Sequence, residues 1–143
     1  MLTFDVAPAK RPLRLLCIGA HSDDLEIGCG GTVLEWLARN AQVEVTWVVL
    51  SAPPARAAEA RRSAAAFLRR AGRRTSVLHA LRDVHFSAHF TELKAAFAGL
   101  AASSTPDVVL VHTLDDRHQG HRLVSELAWQ SFRAHLNLEY ELP

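Results

Sequence analysis

The strongest constraint on this chain is a set of short apolar runs. They are Leu13–Ile18 (LRLLCI), Val43–Leu50 (VEVTWVVL) and Val108–Val111 (VVLV). Their aliphatic and β-branched residues are consecutive or nearly so, which is the signature of strands buried on both faces. A fourth, weaker run over Val77–Ala80 reads the same way. Strong helix formers separate the runs. Thr32–Arg39 places Val33, Leu34, Leu37 and Ala38 at helical spacing. Ala55–Ala71 is rich in Ala, Arg and Glu, with Pro54 suited to a first turn and Gly72 to a stop. Thr91–Ala102 and Arg122–His135 read as further helices, the latter offering Leu123, Leu127, Trp129 and Phe132 for packing. Gly19–Gly31 and His85–His89 read as loops. The alternation βαβαβαβα predicts an α/β protein with a parallel sheet covered by helices on both faces.

The 143 residues suit a single domain, and an apolar fraction of 49% is enough for a real core. Sixteen basic against fifteen acidic residues give a formal charge of +1, which argues against a dedicated nucleic-acid surface. Cys17 and Cys29 form no CxxC pair and read as packed thiols, a usage that fits a reducing cytoplasm. No segment has the length and apolarity of a membrane span, and the first residues lack a signal-peptide core. Leu138–Pro143 looks like the start of another extended element, so the domain is expected to be incomplete at its C-terminus.

Two polar clusters interrupt this pattern. Ala20-His21-Ser22-Asp23-Asp24 follows the first run, and His112-Thr-Leu-Asp115-Asp116-Arg117-His118-Gln119-Gly120-His121 follows the last. Each therefore sits at the carboxyl end of a buried strand, where open parallel sheets place their active sites. A hydrolytic zinc ion takes three ligands from His, Asp or Glu and keeps a fourth position for water. His21 and Asp24 are three residues apart and can aim at one point. His118 and His121 share that spacing, so one can complete the ligand set while the other faces the substrate. Asp23 stands ready to take a proton from the attacking water, and a protonated histidine nearby could stabilise an oxyanion and protonate a leaving amine. That inventory suits amide hydrolysis. Each part also has a structural alternative: Asp23, Asp24, Asp115 or Asp116 could cap a helix, and His112 could be a satisfied core histidine. The conjunction of both clusters favours the metal site.

At these residues the chain resembles the LmbE-like, or PIG-L-type, family of zinc-dependent N-deacetylases. The family's Ala-His-Pro-Asp-Asp-Glu loop and following glycine-rich turn are matched by Ala20 through Gly31. Its His-x-x-Asp-Asp-x-His-x-Asp-His motif is matched by His112 through His121. The resemblance implies a Rossmann-like three-layer α/β/α sandwich with a mostly parallel sheet. It implies a Zn2+ cofactor, with Fe2+ or another divalent ion as the substitute, held by His21, Asp24 and His121. Asp23 would be the general base and His118 the general acid or oxyanion stabiliser. Arg56 and Asp83 would contact the substrate, an N-acetylglucosamine-type sugar or sugar conjugate. A homo-oligomer is compatible with this reading.

Three positions depart from the motif. Ser22 replaces proline, Leu25 replaces glutamate, and Gly120 replaces an aspartate that could orient a histidine. The last departure keeps a second reading open, a metal-binding relative that binds without turnover. A dinucleotide-binding domain is disfavoured because Gly28-Cys29-Gly30-Gly31 lacks the G-x-G-x-x-G spacing. A zinc nucleobase deaminase is disfavoured by the absence of any CxxC.

Overall fold

In the computed structural model, which describes residues 6, 8, 10–39, 42–82 and 86–143, the chain folds as a parallel α/β sandwich. The elements in order are β1 (Leu13–His21), α1 (Asp24–Gly28), α2 (Gly30–Arg39), β2 (Val43–Ser51), α3 (Pro54–Phe67) and β3 (Arg73–Leu78). There follow α4 (Phe90–Ser103), β4 (Val108–His112), α5 (Gln119–Ser131) and β5 (Leu136–Tyr140). The strands lie in the order β3-β2-β1-β4-β5, every pairing parallel.

Successive side chains of β1 feed opposite layers. Leu13, Leu15 and Cys17 join Val33 and Leu37 of α2 and Ala64 of α3 in one core. Leu16, Ile18 and Ala20 join Leu93 and Phe97 of α4 and Val124 and Leu127 of α5 in the other. This is why the apolar runs are continuous: both sheet faces are covered. Trp47 of β2 is fully buried and stacks on Phe67 with centroids 5.8 Å apart. Cys17 and Cys29 are buried free thiols, and the Cys29 contact together with burial pushes the Cys17 thiol up.

The chain path fixes where a site can form. From β1 it steps outward to β2 and β3, then returns to lay β4 on the other side of β1. Connections leaving β1 and β4 therefore diverge, opening a crevice at their carboxyl ends. His21 is the last residue of β1 and His112 the last of β4.

Several boundaries differ from the sequence expectation. Most of Gly19–Gly31 is strand and helix rather than loop: β1 runs on to His21, and α1 and α2 take up nearly all the rest. Gly30 serves packing, since a Cβ there would meet Phe67 Cε1 at 2.6 Å. β3 begins at Arg73, four residues before the apolar signal, because it is an edge strand whose Arg73–Ser76 stretch is exposed. α3 accordingly ends at Phe67 rather than Ala71. α5 starts at Gln119 and stops at Ser131, and Asn137 Nδ2 donates to the carbonyls of Phe132 (3.0 Å) and His135 (3.1 Å) in the turn that follows. The expected last extended element is β5, in register with β4 from Val108↔Leu136 to His112↔Tyr140. Among the described residues no helix is long and apolar enough to cross a membrane.

Candidate metal centre

Asp24 is the hub of the crevice. It is buried at the start of α1, and its Oδ2 accepts the His21 backbone N–H at 2.7 Å. The same oxygen lies 3.3 Å from His21 Nδ1, 3.1 Å from His112 Nε2 and 3.6 Å from His121 Nε2. His121 Nε2 and His21 Nδ1 are 3.1 Å apart, although a hundred residues separate them. Burial works against the Asp24 charge, but hydrogen bonds from His112 and His21 outweigh it and hold the carboxyl far below its usual range. Asp24 is thus an anion in a buried setting, the state a cation site requires.

Three donor atoms, His21 Nδ1, Asp24 Oδ2 and His121 Nε2, form a triangle with edges of 3.1, 3.3 and 3.6 Å. Tetrahedral ligands about 2.0–2.1 Å from a zinc ion stand roughly 3.3–3.4 Å from one another. The donor set therefore fits such an ion in both chemistry and spacing. Two further triples, His21/His118/His121 and Asp24/His112/His121, also bring one ligand atom each within 4.8 Å of the others.

His112 is fully buried, with its ring stacked on His121 at 4.0 Å and 9°. Its Nε2 faces both the Ala20 N–H (3.1 Å) and Asp24 Oδ2 (3.1 Å), and its Nδ1 has no hydrogen-bond partner. Two groups compete for Nε2, since the Ala20 N–H donates to it while an ionised Asp24 can only accept from it. Behind it stands Tyr140 of β5, ring centroid 4.8 Å from His112, whose hydroxyl donates to the Ile18 carbonyl at 2.8 Å.

Asp23 occupies the N-cap position of α1, makes no side-chain capping bond and is exposed. His118, also exposed, lies with ring centroids 5.0 Å from His21 and 4.4 Å from His121. His118 thus keeps its ring accessible beside the triangle, and Asp23 directly precedes the donor Asp24 in the chain. Burial pushes the His121 imidazole down, opposed by its bond to Asp116, which favours the neutral form that a ligand requires. Of the departures from the motif, Leu25 is fully buried in the core and Ser22 is buried.

Arg56 stands in the first turn of α3, just past the carboxyl end of β2, and pairs with Glu59 at 3.4 Å. Asp83 lies outside the described residues. Sequence reasoning undervalued two groups. His112 was left between core and site, and it is both. Asp116 read as a helix cap, yet its Oδ2 lies 2.9 Å from His121 Nδ1. Tyr140 carried no signal at all.

Fold and crevice together define a parallel α/β protein whose topological switch point carries a histidine–carboxylate cluster with the donors to hold a metal ion. The chain belongs to the PIG-L family: the family model, described as GlcNAc-PI de-N-acetylase, matches residues 16–132. No curated protein sequence matches. Among solved structures, N,N'-diacetylchitobiose deacetylase from Pyrococcus horikoshii aligns with TM-score 0.60 and 24% identity, over 90% of this chain and 52% of that one. The zinc-inhibited form of teicoplanin deacetylase Orf2 aligns with TM-score 0.64 and 14% identity, over 85% and 64%. GalB, a 4-carboxy-2-hydroxymuconate hydratase from Pseudomonas putida KT2440, aligns with TM-score 0.57 and 19% identity, over 83% and 55%. The chain thus spans between 52 and 64% of the length of these structures. At these identities they establish the fold, and one fold hosting deacetylases and a hydratase leaves the reaction to be argued from the site.

Proposed function

We propose that this protein is a zinc-dependent hydrolase that removes the acetyl group from an N-acetylated sugar of the N-acetylglucosamine type, or from its conjugate. The observation that carries the reading is the 3.1–3.6 Å triangle of His21, Asp24 and His121, with His118 beside it. Membership of the PIG-L family and the deacetylases among the structural neighbours support it.

In this reading His21, Asp24 and His121 hold the ion, Zn2+ or a substitute such as Fe2+. When bound, the ion supplies an acidified water and polarises the amide carbonyl. Asp23 accepts the proton of the attacking water. His118 donates to the developing oxyanion and then protonates the leaving amine, so that acetate and a free amino sugar depart. Arg56 and Asp83 orient the sugar. The reaction is assigned to the cytoplasm.

The test is release of a primary amine from N-acetylglucosamine, N,N'-diacetylchitobiose and N-acetylglucosaminyl lipid by zinc-loaded protein, read with an amine-reactive fluorophore. Turnover that a chelator abolishes and zinc restores is expected. Stoichiometric zinc without amine release from any of the three would favour the rival reading, a relative that binds without turnover.

A further inference from the structure

We infer that Asp116 is a positioning residue of the metal centre: its carboxylate fixes the tautomer and orientation of the His121 ring, a contact that position 120 has no side chain to make. The inference rests on the metal-site reading above. A histidine ligand must present one nitrogen as a lone pair, and the partner of the other nitrogen decides which. His121 Nε2 is the nitrogen aimed at His21 Nδ1 (3.1 Å) and Asp24 Oδ2 (3.6 Å). Its Nδ1 lies 2.9 Å from Asp116 Oδ2. An ionised carboxylate only accepts, so it requires the proton on Nδ1 and leaves the Nε2 lone pair facing the cluster.

Asp116 is itself held still. Its Oδ1 accepts the His118 backbone N–H at 2.7 Å, and its own N–H donates to the Thr113 carbonyl at 3.4 Å. Arg122 Nη1 donates to the carbonyls of both Asp116 and Arg117, at 2.7 Å each. One arginine next to the ligand histidine thus pins the loop that carries the carboxylate. Stacking on His112 at 9° fixes the other freedom of the His121 ring, rotation out of its plane.

The helix-cap reading of Asp116 does not describe these contacts. The N-cap of α5 is His118 and makes no side-chain capping bond. Asp116 instead closes a local turn with one oxygen and spends the other on the imidazole. Position 120 is a buried glycine in the first turn of α5 and offers no acceptor. The carboxylate therefore approaches His121 from the preceding loop rather than from the residue before it.

The experiment measures Zn2+ affinity by chelator competition, and the His121 tautomer by nitrogen NMR of the metal-free protein, for wild type, Asp116→Asn and Asp116→Ala. Asp116→Ala is expected to weaken zinc by about 10–100-fold, and to let the His121 proton redistribute toward Nε2. Asp116→Asn keeps a neutral acceptor and should fall between, with Nδ1–H retained. Folded variants with wild-type affinity and tautomer overturn the inference while leaving the metal site standing. A wild-type protein that binds no zinc overturns the metal-site reading and this inference with it. If Asp116→Ala fails to fold, the comparison of wild type with Asp116→Asn decides: equal affinity refutes the positioning role, and a reduced one supports it.

Discussion

Gly28→Ala tests the packing that supports the site from behind. A Cβ on Gly28 would fall against the Tyr140 ring, within 2.9 Å of Cγ and 2.7 Å of Cε2. Carbon atoms rest about 3.5–4.0 Å apart, so the ring would have to retreat by roughly 1 Å. It has little room to do so. Tyr140 is 6% exposed, its hydroxyl donates to Ile18 at 2.8 Å, and its ring lies 4.8 Å from His112. Overpacking of this kind costs about 1–3 kcal/mol. A strained buried hydroxyl bond adds about 1 kcal/mol, giving a total of about 2–4 kcal/mol. For a domain of this size that is a fall of roughly 6–14 °C in melting temperature. Thermal unfolding of wild type, Gly28→Ala, Tyr140→Leu and the double variant measures it. Without the flat ring the alanine should be better tolerated, with a coupling of about 1 kcal/mol or more. An unchanged melting temperature for Gly28→Ala, or strict additivity in the cycle, would refute the contact.

His21→Ala should lose zinc, and undiminished metal content would remove His21 from the ligand set. Asp23→Asn should retain zinc but lose amine release by a factor of about 10²–10⁴; unchanged turnover would take Asp23 out of the base role. His118→Ala should also spare the metal, and a metal-free product would mean that His118 and His121 had exchanged roles. The pH response follows from five groups held below their ordinary values: His121 and His79 by burial, Asp107 by its bond to Arg11, and Asp24 and Asp116 by their hydrogen bonds against burial. Each binds fewer protons folded than unfolded, so each contributes stability above its unfolded value and loses it on acidification. Denaturant unfolding of the metal-free protein should show stability falling as pH drops below about 6.5, the His contribution, and again below about 4, the carboxylates. A flat profile between neutral pH and about 5 would contradict the buried settings of His121 and His79.

The sequence made the buried part of the fold readable because burial leaves a compositional trace. β1, β2 and β4 are covered on both faces, and their apolar runs announced them. β3 was half invisible for the opposite reason: an edge strand exposes Arg73 to Ser76, and nothing in those residues asks for a sheet. Glycines misled as well. Gly30 signalled a turn, but it is absent a side chain because Phe67 occupies the space. In the site, spacing and position after strands singled out His21, Asp24 and the pair His118 and His121, while the choice of His121 came from the family resemblance; the fold brings donor atoms of His21, Asp24 and His121 within 3.6 Å of one another. His112 was ambiguous, since a wholly buried histidine at a strand end satisfies core packing and site support together. Asp116 and Tyr140 were hidden because their roles are relations across the fold, to His121 and to Gly28 and His112.

His21 and His121 meet at the seam between β1 and β4, and α5, which carries His121, follows β4 directly. A ribosome making this protein would release the first two donors early but the third only after more than a hundred residues had emerged. The nascent chain can offer an ion only a fragment of its cage until β4 docks beside β1. Capture of the ion would then act as a latch on a late, long-range closure rather than as a seed for folding.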